Sequence, residues 1–194
     1  MITSTTKIYD IINKENIHIG VLQLPKNRYG LYIEDEDGKF IFIDKSIEYD
    51  EALLRVVLSE ELGHHFKTVG DISPYHFLDP FKLQTIEKEE EKALKWSSKF
   101  LVNTNSLLKF FNNNPYSSVQ DVSEYFQVTD NFILLKLSFM AKELPQWYLK
   151  DQLVLNLLSL PDIYIGKILD HEKLNQVIKE TCSTLISHNL PEII

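Results

Sequence analysis

Ser59-Glu60-Glu61-Leu62-Gly63-His64-His65 decides the reading of this chain, together with Glu90-Glu91-Lys92-Ala93-Leu94-Lys95-Trp96 about one helix further on. Residues four apart on an α-helix share a face, so Glu60 and His64 can point at one cation. Glu61 lies about 100° round the helix from Glu60, which places it beside such an ion rather than on it. The frame is that of HExxH, in which two ligands one turn apart flank a glutamate that serves as general base; here Glu60 stands where the first histidine would be. A catalytic ion needs a third protein ligand and an open position. Glu90 is the choice, because Ala93 and Trp96 would seat its helix on the first one and aim Glu90 at His64. Glu87, Glu89 and Glu91 are rivals that periodicity alone does not separate. Gly63 suits a point where another backbone or a substrate approaches closely, since mid-helix glycine costs roughly 1 kcal/mol relative to alanine. The plainer alternative is that Glu87–Glu91 is a solvated helix face and that His64 and His65 are ordinary half-buried residues.

Working outward, residues 5–16 read as a short opening helix. His18–Leu24, Arg28–Glu34 and Lys39–Asp44 are β-branched and aromatic segments, with Asp35-Glu36-Asp37-Gly38 as a hairpin turn between the last two. They predict a small antiparallel sheet lying on helices. Asp50 reads as the N-cap of a helix over 51–66, whose Leu53, Leu54, Val57, Leu58 and Leu62 follow helical spacing. Residues 67–82, with Gly70, Pro74 and Pro80, read as a loop. A long helix is expected over 85–103, with Ala93, Leu94, Trp96, Phe100 and Leu101 inward, then helices over 104–112, 119–126 and 130–142. The tail 146–194 reads as helical, interrupted at Pro161, with Leu153–Leu160 apolar enough to join a helix-on-helix interface. The expected class is α+β, with a domain over 1–143 and a helical C-terminal extension over 144–194.

Composition narrows the function. Hydrophobic residues make up 44% of 194 positions, enough for a packed core. A formal net charge of −8 argues against a surface built to bind nucleic acid or anionic membrane. The one cysteine, Cys182, cannot form an internal disulfide, no signal peptide is evident, and no apolar run approaches the roughly 20 residues of a membrane span, so a cytoplasmic location is expected. Residues 118–129 superficially suggest a helix-turn-helix. The would-be recognition helix, however, opens with Asp130 and carries few basic residues, so it is read as a packing module.

These features, in this order, resemble the ImmA/IrrE metallopeptidases. The resemblance runs from about Tyr29 to Leu137. Phe40-Ile41-Phe42-Ile43-Asp44 is similar to the family's strands before its active-site helix, and Val57–His65 matches an apolar stretch followed by a small residue, H or E, and ELGH. Thr68-Val69-Gly70-Asp71-Ile72 resembles a loop of the phage-type members. Glu90–Ser97 with Phe100-Leu101-Val102 matches E-x-x-A-x-x-[FW]-A and its apolar sequel, with Ser97 in place of the alanine. Val119–Leu137 resembles the closing helix pair.

The resemblance implies a zincin-like endopeptidase of phage, mobile elements or stress responses that cleaves a repressor-type protein. It implies Glu60, His64 and Glu90 as metal ligands and Glu61 as the catalytic base acting on the activated water. Zn²⁺ is the implied cofactor. Two carboxylates and one imidazole leave a Zn²⁺ site formally neutral, which weakens its pull on water relative to His₂Glu. Oxygen-rich ligation also makes Mn²⁺ or Fe²⁺ competitive. His65, Tyr75 and His76 are candidates for stabilising an oxyanion, each more simply a packing or surface residue. The alternative function is a catalytically weak or inactive relative that acts as a protein-binding regulator.

Overall fold

The computed structural model describes residues 3–67 and 80–189, which fall into two compact units. The first comprises residues up to 101 together with 127–129; the second comprises 102–126 and 130 onward. Among the described residues no helix is long and apolar enough to cross a membrane.

The first unit runs α1 (Thr5–Lys14), β1 (Ile17–Leu22), β2 (Gly30–Asp35), β3 (Gly38–Asp44), α2 (Glu51–Lys67) and α3 (Pro80–Leu101). Ser4 caps α1 by accepting from the Lys7 amide, and Ile8 and Ile12 bury its inner stripe. The expected hairpin forms: the Asp37 amide donates to Asp35 Oδ1 at 2.9 Å, and Gly38 has φ +135°. The sheet, however, is mixed rather than wholly antiparallel. Its order is β1-β3-β2, with β2 antiparallel and β1 parallel to β3. The connection 23–29 carries the chain past β3's place, so the hairpin's second strand fills the centre and β2 is left at an edge.

Asp50 caps α2 as expected, accepting the Leu53 amide at 3.0 Å. This helix is buried on most of its circumference, from Arg55 to His64, because β2 and β3 cover one side, α3 another and α1 a third. Arg55 is only 1% exposed and donates to Thr5 Oγ1 and Thr3 O, fastening the N-terminal segment to the helix. Helix α3 begins at Pro80, inside what the sequence suggests is loop, since proline suits the first turn, where its missing N–H has no intrahelical partner. The segment 68–79, including the resemblance at 68–72, lies outside the described residues.

The second unit contains α4 (Thr104–Asn113), α5 (Val119–Phe126), α6 (Asp130–Glu143), β4 (Gln146–Tyr148), β5 (Leu153–Asn156), β6 (Tyr164–Lys167) and α7 (His171–Asn189). Helices α4 to α6 fall where the periodicity predicts, and buried Lys136 on α6 donates to Thr104 Oγ1 at 2.9 Å. The tail departs from the expected helix: its first half is an antiparallel sheet in the order β4-β5-β6. Asp151 and Gln152 both take positive φ, which turns the chain tightly between β4 and β5. Val154 and Leu155 are buried in this unit's own core rather than offered to a helical interface. Helix α7 returns onto β4, where Thr181 Oγ1 accepts the Tyr148 amide at 2.9 Å.

Candidate metal centre

Three elements of the first unit build the centre. Helix α2 supplies Glu60, Glu61 and His64; α3 supplies Glu90; β2 lies alongside. One ligand atom each from Glu60, His64 and Glu90 all lie within 4.8 Å of one another. His64 Nε2 is 3.4 Å from Glu90 Oε2. The close approach that Gly63 anticipates is by backbone: a Cβ there would sit 2.4 Å from the Ala93 carbonyl oxygen. Ala93 is fully buried, and Trp96 stacks on Phe100 at 4.9 Å and meets Phe66 at a tilt at 5.1 Å, so α3 is held with Glu90 facing His64. Glu89 instead pairs with Lys92 at 2.7 Å, and Glu87 and Glu91 are exposed. The structure therefore brings Glu90 to His64 and leaves its rivals outside the cluster.

The electrostatics are those of crowded acids around one imidazole. Burial pushes Glu61 up to about 8, opposed by His64 and reinforced by Glu60 and Glu90. Burial also raises Glu60, against the pull of His64. For His64, burial works downward, but the hydrogen bond to Glu90 and the charges of Glu61, Glu90 and Glu60 together raise its pKa. The same hydrogen bond holds Glu90 below the ordinary range against burial, with the charges of His64 and Arg28 assisting. This donor set fits a divalent cation: two carboxylates and an imidazole converge, and the carboxylates' negative charge is offset in part by His64 and Arg28.

Strand β2 runs along the neighbouring stripe of α2. Gly30 lies over Val57 and Glu61, and a Cβ there would fall 2.3 Å from Glu61 Oε1. The Tyr32 amide donates to the Glu61 carboxylate, and the Tyr32 hydroxyl is 2.8 Å from His65 Nδ1. Thus Glu60 and His64 form one i, i+4 pair on the metal face, while Glu61 and His65 form a second pair on the strand face. His65 therefore faces β2 and Glu15 rather than the ligand cluster. Tyr75 and His76 lie outside the described residues. His18 rests on Phe40, His171 opens α7 in the exposed surface, and His188 pairs with Glu143 at 2.9 Å.

Arg28, Gly30 and Tyr32 are absent from the motif reading, because they come from the end of a connector and the strand after it, about thirty residues upstream. Gly30 was the available signal: a glycine inside a strand pattern marks close approach of another group.

The family model of Peptidase M78, the IrrE N-terminal-like domain, matches residues 12–138. Comparison with curated proteins and with solved structures returns no match. The matched span takes in β1 to β3, the α2–α3 pair with the acidic cluster, and α4 to α6, an α+β arrangement of zincin-like type. On that span the chain belongs to the ImmA/IrrE peptidase family.

Proposed function

We propose that this protein is a metal-dependent endopeptidase whose substrate is a repressor-type protein of phage or mobile-element origin, acting in the cytoplasm. The observation that carries the reading is the convergence of Glu60, His64 and Glu90 beside a buried Glu61. We assign Glu60, His64 and Glu90 to hold the ion, Zn²⁺ first with Mn²⁺ or Fe²⁺ as competitors, and Glu61 to act as general base. The peptidase domain would span 1–143, with 144–194 as an appended module. When bound, the ion supplies Lewis acidity toward a peptide carbonyl and toward water. Glu61 takes a proton from the attacking water and returns it to the departing amine. Burial and the Tyr32 amide orient the carboxylate for this exchange.

Metal content decides the ligand assignment. The protein as purified without a histidine tag should hold close to one divalent ion per chain, and His64→Ala and Glu90→Ala should each lose it. Failure of the wild type to take up Zn²⁺ or Mn²⁺ would transfer the weight to the binding-regulator reading, in which Glu60 has disabled the centre.

The same groups set a pH dependence in the ion-free protein. Glu61 has a folded pKa raised from the usual 4.5 to about 8, so its contribution is intact below about 4.5 and is lost as pH rises through about 8. His64, also raised, loses its contribution in the same direction. Glu90, lowered, contributes above its ordinary pKa and is lost only in acid. Ion-free protein should therefore melt lower at pH 8 than at pH 6. Excess Zn²⁺ should raise Tm more at pH 8, where fewer protons compete, and EDTA should reverse it. Equal Zn²⁺ shifts at both pH values would contradict this.

A further inference from the structure

Tyr32 and His65 lie beside the centre without belonging to it, and their hydrogen bonds have a defined direction. The Tyr32 hydroxyl is 2.7 Å from Glu34 Oε2 and 2.8 Å from His65 Nδ1. A carboxylate only accepts, so the single hydroxyl proton goes to Glu34 and the Tyr32 oxygen accepts from His65 Nδ1–H. Neutral imidazole with its proton on Nδ1 and imidazolium both satisfy this, so the bond does not depend on the charge of His65. The far side of the ring, Nε2, sits 3.5 Å from Glu15 Oε2. The His65 side chain is 8% exposed, and the two rings lie 5.5 Å apart.

The same residue that bonds His65 through its side chain bonds Glu61 through its amide. Strand register makes this possible. The Asp44 amide donates to the Tyr29 carbonyl, so odd-numbered residues of β2 pair with β3 and the amides of even-numbered residues turn to the open edge. Tyr32 is one of those edge residues.

We propose that Tyr32 and His65 are positioning residues for the peptidase reaction: their hydrogen bond fixes β2 against α2 so that the Tyr32 amide holds Glu61 at its working position beside the metal ligands. The inference rests on the peptidase reading for its functional consequence, but the clamp itself does not. Gly30 allows the strand to come close without holding it there; the Tyr32–His65 bond does the holding. Neither residue contacts the ligand cluster, so losing the clamp should spare ion binding and reduce turnover.

The test uses Tyr32→Phe, His65→Asn and His65→Gln in the full chain. Asparagine can place an N–H near the position of Nδ1, whereas glutamine reproduces only the Nε2 end. Three measurements apply: Zn²⁺ affinity by chelator competition, amide hydrogen exchange over residues 30–34, and initial rates of casein cleavage. Tyr32→Phe and His65→Gln should bind Zn²⁺ within about threefold of wild type, exchange the β2 amides at least tenfold faster, and lose at least tenfold in kcat at unchanged KM. His65→Asn should restore both exchange and kcat. Unchanged β2 exchange in Tyr32→Phe, or equal behaviour of the asparagine and glutamine variants, overturns the proposal. Should wild type bind no Zn²⁺ or leave casein intact, the peptidase reading bears that failure, and the exchange pattern alone upholds or overturns the clamp.

Discussion

Glu61→Gln should abolish proteolysis while leaving ion binding in place. Removing a positioned general base costs about 10²–10⁴-fold in rate. Glutamine keeps the shape and still accepts the Tyr32 amide through its carbonyl oxygen, so β2 and α2 should remain seated. The stability consequence runs the other way. Glu61 is only 6% exposed, with Glu60 and Glu90 acting on it, so ionising it in the absence of metal is costly. The ion-free variant should therefore be more stable than ion-free wild type at pH 8, and the difference should fade toward pH 5. Casein cleavage and thermal melts with and without EDTA check both halves. Activity within tenfold of wild type would remove Glu61 from the chemistry, whatever the metal content.

The second large effect is expected at Gly63. Alanine is the better helix former by roughly 1 kcal/mol, so a propensity argument predicts that Gly63→Ala stabilises α2. Packing predicts the reverse. The new Cβ would meet the Ala93 oxygen at 2.4 Å, its carbonyl carbon at 2.9 Å and its Cα at 3.0 Å. All three atoms are backbone, so no rotamer change relieves the clash. Helix α3 must back away by about an ångström to reach an ordinary 3.4 Å contact. Overpacking of this kind costs about 1–3 kcal/mol, more than the propensity gain at its upper end. Glu90 rides on α3, so Zn²⁺ affinity should fall at least tenfold as well. Urea unfolding and Zn²⁺ competition measure the two effects; a variant as stable as wild type with unaltered affinity would show that α2 and α3 do not pack as described.

Local signals were sufficient for much of this architecture. Asp50 marks the start of α2, Asp35–Gly38 closes the hairpin, and Asn113-Asn114-Pro115 ends α4, each through chemistry that acts over four or five residues. Glu60, His64 and Glu90 could be named because helical spacing and the Ala93–Trp96 packing stripe are also local. What escaped depends on contacts distant in sequence. The parallel pairing of β1 depends on where a connector crosses, which no residue type in 23–29 announces. Leu153–Leu160 is a short apolar run that suits helix or strand equally, and its turn uses Asp151 and Gln152 in place of glycine. His65 sits inside the motif, yet its role is set by Tyr32, on a strand that the motif does not include.

Ser59 and Ser97 are both fully buried, and their hydroxyl oxygens lie 2.6 Å apart across the α2–α3 seam. Ser59 also reaches the Val56 carbonyl at 2.8 Å. If Ser59 gives its proton to that carbonyl, it serves Ser97 as acceptor, and the two positions are unequal. Alanine at 97 keeps Ser59 satisfied within its own helix. With alanine at 59, Ser97 loses that acceptor and turns to a carbonyl of its own helix, as Ser98 does with Lys95. The seam bond is therefore an addition to Ser59's own partner, and Ser97→Ala leaves the motif helix with its hydroxyl satisfied.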